Sequence, residues 1–147
     1  MSEHLAHIQW NRSSEDFSYK NYNREHQWTF EGGTSLTASA APAYLGNPDF
    51  VDPEEALVAS LSACHMLTFL ALCALKNIVV DSYSDHASGY MEKNDAGRLA
   101  ITRVELRPVC AYGGKTPDRE TLAKLHHEAH EQCFIANSVH TKINVIF

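Results

Sequence analysis

Four cysteines, Cys64, Cys73, Cys110 and Cys133, are the residues of this 147-residue chain best suited to carry chemistry. A thiolate is both a nucleophile and a metal ligand, but it forms at neutral pH only beside a cation or a helix N-terminus. No CxxC pair occurs, and no close Cys/His cluster has the spacing of a zinc ribbon. Cys64 stands in Leu61-Ser62-Ala63-Cys64-His65-Met66, about three turns into a long apolar segment, where a helix dipole contributes little. Its bland reading is a small core hydrophobe; its functional reading requires a cation from elsewhere in the fold. His65 is adjacent in sequence but points ~100° away around a helix. Cys64 and Cys73 are ~13.5 Å apart along one helix, too far for a disulfide. Cys110 falls in an expected strand. Cys133, at the expected end of a second helix, has the best access and mobility for pairing with Cys64, although spacing alone does not establish that they meet.

His126, His127 and His130 form an HHxxH run. Four residues apart, His126 and His130 share a helical face, a spacing that can hold a metal. The glutamate placement of a zinc protease is missing, and the competing reading is an exposed, mixed helical face. No phosphate loop, dinucleotide fingerprint or Gly-x-Ser-x-Gly elbow is present.

The elements that must position these residues are written in capping and alternation. Asp52-Pro53-Glu54-Glu55 predicts a helix start, with Asp52 as N-cap and Pro53 at the first helical position. Twenty residues without a charge follow, Ala56–Leu75. Their length would suit a membrane span, but Ser60, Ser62, His65 and Thr68 interrupt them and the remainder reads as a soluble α+β protein. A helix apolar nearly all round and roughly 36 Å long needs more cover than one short chain provides. A central helix wrapped by a homodimer is therefore expected. Upstream, alternation predicts a strand over Tyr22–Phe30 with Tyr22, Arg24, His26, Trp28 and Phe30 on one face. A turn at Gly32-Gly33, a strand over 35–41 and an irregular loop over 41–52 follow. Downstream, Tyr83–Glu92 and Arg98–Arg107 flank the turn signal Asn94-Asp95-Ala96-Gly97. Thr116-Pro117-Asp118 opens a second helix that should end near Cys133, with Leu122, Leu125 and Ala129 at helical spacing. Lys142–Phe147 closes as an alternating strand.

Composition sets the frame. Hydrophobic residues make up 44% and charged residues 20% of the chain, which excludes a disordered polypeptide and suits one domain over residues 1–147. Twelve basic residues against 18 acidic ones give a net charge of -6, a sign that opposes nucleic-acid binding. The start, MSEHLAHIQW, has no signal-peptide pattern, so a cytoplasmic protein with reduced thiols and no membrane partner is expected.

Two segments carry a resemblance. Asp52-Pro53-Glu54-Glu55-Ala56-Leu57 followed by Ala59-Ser60-Leu61-Ser62-Ala63-Cys64, and Ala129-His130-Glu131-Gln132-Cys133-Phe134-Ile135-Ala136-Asn137, resemble the central-helix and second-cysteine segments of the OsmC/Ohr superfamily of osmotically inducible and organic hydroperoxide resistance proteins. The resemblance implies an α+β intertwined homodimer with long central helices packed against curved antiparallel sheets. It also implies a metal-free thiol peroxidase with no bound cofactor. Cys64 would match the attacking cysteine, Cys133 the resolving one and Glu54 the family's glutamate, with a lipoyl-type dithiol or small thiol as external reductant. Glu54 and Cys64, ~15 Å apart on one straight helix, would meet at one centre only if two subunits contribute. The family's arginine matches best at Arg24, with Arg12 as runner-up, because the loop over 41–52 contains none; His65 also departs from the hydrophobic residue expected after the cysteine. The reaction implied is reduction of organic hydroperoxides, with apolar surroundings favouring alkyl or fatty-acid hydroperoxides. The alternative is a non-catalytic dimer of the same fold that binds a small apolar ligand.

Overall fold

The computed structural model describes residues 1–147, which form two compact units, Met1–Ala56 and Leu57–Phe147. The first unit is built on a three-stranded antiparallel sheet, β1 (Ala6–Gln9), β2 (His26–Phe30) and β3 (Ser35–Ala38), in that order. Ile8 stands opposite Trp28, and Trp28 opposite Leu36, so aliphatic and aromatic side chains meet across the strands. The strand expected over Tyr22–Phe30 begins only at His26. Tyr22 and Arg24 precede it because the backbone N–H groups of Asn21 and Tyr22 both return to the Ser18 carbonyl, at 3.1 and 3.0 Å. That turn ends the alternation before it can include Arg24. The loop over 41–52 is irregular as expected, apart from a 3-10 turn at Pro42–Tyr44.

Helix α1 (Pro53–Leu75) opens on a reciprocal cap. Asp52 Oδ1 accepts from the Glu55 N–H at 2.8 Å, and Glu55 Oε2 accepts from the Asp52 N–H at 3.2 Å, satisfying two of the donors that a helix start leaves free. By length and composition the helix could cross a membrane, yet it presents a buried stripe of Leu61, His65, Phe69, Leu72 and Cys73. Burial on all sides is expected of the homodimer; within one chain only this stripe is fully buried, Leu57, Val58 and Leu70 are half-buried, and Leu67 and Leu75 stay exposed.

In the second unit β4 (Val80–Asp85) pairs antiparallel with β7 (Pro108–Tyr112). The strands β5 (Ser88–Lys93), β6 (Leu99–Leu106) and β8 (Lys142–Val145) form a second sheet, β8 running parallel to β6. The Asn94–Gly97 turn forms as expected. Asn94 Oδ1 accepts from the N–H groups of Ala96 and Arg98, each at 3.0 Å, and Gly97 takes the left-handed φ of 73° that favours glycine. Tyr83–Glu92 is not one strand, however. Asp85 ends β4 by accepting from the Arg107 backbone N–H at 2.6 Å and from the Ser62 hydroxyl, which turns the chain into a different sheet. On β6 the buried face is that of Val104 and Leu106. Val104 lies opposite Gly89, where a Cβ would stand 2.4 Å from Val58 of α1, so the glycine lets helix and sheet approach.

Helix α2 (Arg119–Gln132) is capped by Asp118, whose Oδ1 accepts from the Thr121 N–H at 2.8 Å. Leu125 and Ala129 join Phe69, Leu72 and Cys73 in one core cluster, while Leu61, Val104 and Leu106 form another. Strand β8 stops at Val145, two residues short of the alternating run.

Candidate active site

Cys64 lies on α1, and Cys133 is the residue at which α2 stops, its N–H bonding the His130 carbonyl at 3.3 Å. The two sulfurs are 2.7 Å apart, with the Cys133 thiol placed to donate to Cys64. All four cysteines are free thiols. Joining these two at ~2.05 Å would need only a small shift. Cys133 is not the accessible residue expected from its place at a helix end. It is 1% exposed, because the chain turns at once into the 3-10 turn Ala136–Ser138, which aims the Ala136 N–H at Cys133 Sγ from 3.4 Å. Burial first, and the bond to Cys64 second, push the Cys133 thiol up to about 11. Cys133 thereby keeps its proton at neutral pH and is placed to donate it to the sulfur of Cys64, the half-buried member.

A buried histidine pair stands beside this site. His65 Nε2 and His126 Nδ1 are 3.0 Å apart, and the side chains are 1% and 3% exposed. Desolvation holds both imidazoles neutral, lowering each to about 4. The expected exposed face for His126 is thus corrected. His65 has its partner on another helix. The signal was present in the sequence: His65 falls in the stripe Leu61, His65, Phe69, Leu72, and His126 falls between Leu125 and Ala129 on the apolar side of α2. With His126 Nδ1 bonded to His65, the HHxxH run does not present His126 and His130 as a metal pair, and no group of three His, Cys, Asp or Glu side chains is placed to hold an ion.

Arg24 and Glu54 are brought together in the first unit. Both line a cavity of about 340 Å³ with Trp10, Tyr22, His26 and Tyr44. Glu54 comes from the first turn of α1. Arg24 is 8% exposed, its guanidinium 3.9 Å over the Tyr22 ring, donating from Nη1 to the Tyr22 carbonyl at 2.9 Å and from Nη2 to the Tyr19 carbonyl at 2.6 Å. An arginine held this way is a fixed positive charge in an aromatic-walled pocket. Arg12, the other candidate, is exposed and bonds the Ser14 and Glu15 carbonyls.

Comparison with known proteins agrees with this architecture. A family model described as OsmC-like protein matches residues 46–147. A solved structure of an OsmC-like protein of unknown function from Vibrio cholerae O1 biovar eltor str. N16961 is 46% identical, covers 99% of this chain and 99% of its own, and superposes with a TM-score of 0.95. More distant likenesses show the fold alone. An organic hydroperoxide resistance protein from Legionella pneumophila is 15% identical over 99% of this chain and 94% of its own, TM-score 0.69. The organic hydroperoxide resistance protein OhrB of Bacillus subtilis is 17% identical over 99% and 98%, TM-score 0.63. No curated protein matches the sequence. With the family model spanning residues 46–147 and one relative 46% identical over nearly the whole length, the chain belongs to the OsmC-like protein family.

Proposed function

We propose that this protein is a cysteine-based, metal-free peroxidase that reduces organic hydroperoxides. The Cys64 thiolate attacks the terminal peroxide oxygen, the O–O bond breaks, and the products are a Cys64 sulfenic acid and, after protonation, an alcohol. The Cys133 thiol then attacks the sulfenate sulfur, its proton leaves with the hydroxyl as water, and a Cys64–Cys133 disulfide forms. An external dithiol of lipoyl type, or two small thiols, accepts the disulfide by exchange and restores both cysteines. The observation that carries this reading is the 2.7 Å approach of the two sulfurs, with the Cys133 thiol donating to Cys64. It supports separate attacking and resolving roles.

Arg24 and Glu54 enter this reading as the charged side of the substrate site. An arginine lowers the cost of a thiolate and donates to a peroxide oxygen, and Glu54 lines the same pocket as its counter-charge. Because ten residues of one helix separate Glu54 from Cys64, ~15 Å along its axis, the pocket that serves a given Cys64 is contributed by a second subunit. The uncovered apolar side chains of α1, Leu67 and Leu75, support the same homodimer. The setting is the cytoplasm, where the thiols are kept reduced. A second reading, a dimer of this fold that binds a small apolar ligand without chemistry, is favoured by one fact: two Arg24 nitrogens already serve backbone carbonyls. Thiol counting before and after one equivalent of cumene hydroperoxide separates the two. Loss of two thiols mapped to Cys64 and Cys133 is expected; four unreacted thiols select the binding protein.

A further inference from the structure

The reaction proposed above makes no use of His65 and His126, yet these side chains join the two helices that carry its cysteines. His65 follows Cys64 on α1, and His126 precedes Cys133 by seven residues, about two turns of α2. The ring planes differ by only 9°, the centroids are 5.3 Å apart and the bonded nitrogens 3.0 Å apart. A ring nitrogen lies roughly 1.1–1.2 Å from its centroid by covalent geometry, so the two rings must meet edge to edge, nearly in line. Around them the space is apolar. Phe69 stacks on His126 at 4.4 Å and 13°, and Phe147 packs at 4.5 Å.

Two polar rings in such a place add little stability over well-packed apolar side chains. What they add is a unique arrangement. Turning α2 by one residue, ~100°, or sliding it ~1.5 Å, would leave His65 Nε2 and His126 Nδ1 without partners among phenyl rings. An apolar contact tolerates such slips far better. The charged or polar groups facing the pair are few: His130 of α2 and Asp85 of β4 act on His65, and His65 itself acts on His126. Neither His65 Nδ1 nor His130 Nδ1 has a partner although both atoms are buried, which leaves the His65–His126 bond as the polar tie on the inner faces of α1 and α2.

We propose that His65 and His126 are positioning residues that fix the register of α2 on α1 at which Cys133 meets Cys64. The inference rests on the reading of Cys64 and Cys133 as a working dithiol, but not on a peroxide as its oxidant. Its test therefore uses glutathione disulfide, which takes two electrons from the two thiols, forms the Cys64–Cys133 bond and leaves as two glutathione thiols. Equilibration in glutathione buffers at pH 7, with the disulfide fraction mapped by mass spectrometry, gives the effective concentration of one thiol at the other.

The double variant His65→Leu/His126→Leu removes both polar rings and leaves no orphan. Its effective concentration should fall at least about tenfold, while the first oxidation of Cys64 by cumene hydroperoxide keeps its rate. His126→Asn places an amide where Nδ1 lies and should stay within about threefold of the parent, whereas His126→Gln places it beyond reach and should follow the double variant. A folded double variant with the parent's equilibrium overturns the proposal. So does equality of the Asn and Gln variants, which decides the matter if the double variant does not fold. A parent protein that forms no Cys64–Cys133 disulfide in any buffer removes the dithiol and the inference together. Disulfide equilibria that shift as expected in a protein inert to hydroperoxides leave the inference standing and overturn the peroxidase reading instead.

Discussion

Helix α1 contributes one cysteine to each of two thiol neighbourhoods, and the proposed reaction uses only one of them. Cys64 faces Cys133 at 2.7 Å. Cys73, nine residues on, is 1% exposed inside a cluster with Phe69, Leu72, Leu125 and Ala129, with Cys110 packed against it. Desolvation raises the thiols of Cys73 and Cys110, as it raises that of Cys133. Burial therefore does not distinguish the neighbourhood proposed as reactive from the one proposed as inert; the approach of two sulfurs does, at 2.7 Å for Cys64 and Cys133. Cys133 stands where α2 has ended, in an extended conformation at φ −71° and ψ 113°. Cys110 lies within the β4–β7 ladder opposite Tyr83, and Cys73 is fixed in α1 with its carbonyl accepting from Ile78 and Lys76. The N–H and carbonyl of Cys133 are bonded to His130 and Asn137 at 3.3 and 3.0 Å, so its backbone is tied by local bonds at the helix end rather than by a ladder or a continuing helix.

The severest way to break this comparison is to remove one α1 thiol at a time. Cys64→Ser should abolish hydroperoxide consumption, and Cys73→Ser should leave the rate within about twofold, measured by peroxide loss against a dithiol reductant. Loss of activity in both would place the chemistry outside the Cys64 neighbourhood. Cys133→Ser should separate the steps: one equivalent of peroxide is consumed at the parent's rate, turnover then stops, and intact-mass analysis finds one or more oxygen atoms added at Cys64.

How much of this was legible in the sequence depends on the range of the interaction. The caps at Asp52 and Asp118 and the turn at Asn94–Gly97 are closed by hydrogen bonds between residues two to four apart, and spacing alone predicts them. The alternation from Tyr22 to Phe30 misled because a turn at Ser18–Tyr22 takes over the backbone that a strand would have used. The split of Tyr83–Glu92 follows from Asp85 reaching Arg107 across 22 residues. At the candidate site, Cys64 and Cys133 are 69 residues apart, and only the family resemblance suggested that they meet. The His65–His126 bond, across 61 residues, had a weak signal in two histidines on apolar stripes.

The charge proposed to serve Cys64 gives a smaller effect. If the Arg24 pocket serves Cys64 of a second subunit, Arg24→Met should slow the first oxidation at least about tenfold, equivalent to ~1.4 kcal/mol of barrier, with Arg12→Met unchanged. An unaffected Arg24→Met would assign the thiolate's cation elsewhere.

Acid should also weaken the region that holds Cys64 and Cys133. His65 and His126 are lowered to about 4 by burial, whereas the unfolded chain titrates its histidines near 6.5. Between those values the unfolded state binds protons that the folded state refuses, so stability is intact above about pH 6.5 and declines as pH falls toward 4. The slope is at most about 1.4 kcal/mol per pH unit for each histidine. Urea unfolding at pH 7, 6 and 5 should show it, and His65→Leu/His126→Leu should flatten the decline.

The smallest effect belongs to Cys73, which the comparison makes a packing residue. Cys73→Val keeps an apolar side chain of similar size and should change stability by less than about 1.5 kcal/mol. Cys73→Ser places a hydroxyl among Phe69, Leu72, Leu125 and Ala129, and an unpaired buried hydroxyl costs about 1–3 kcal/mol. Both variants should still lose Cys64 and Cys133 thiols to one equivalent of hydroperoxide at the parent's rate, measured well below their melting temperatures. The order of stability, parent and Val above Ser, with no matching order in rate, is what a core thiol requires. A rate that tracked the Cys73 substitution while stability did not would mean that the two neighbourhoods exchange electrons, and that α1 carries one redox system rather than a reactive thiol and an inert one.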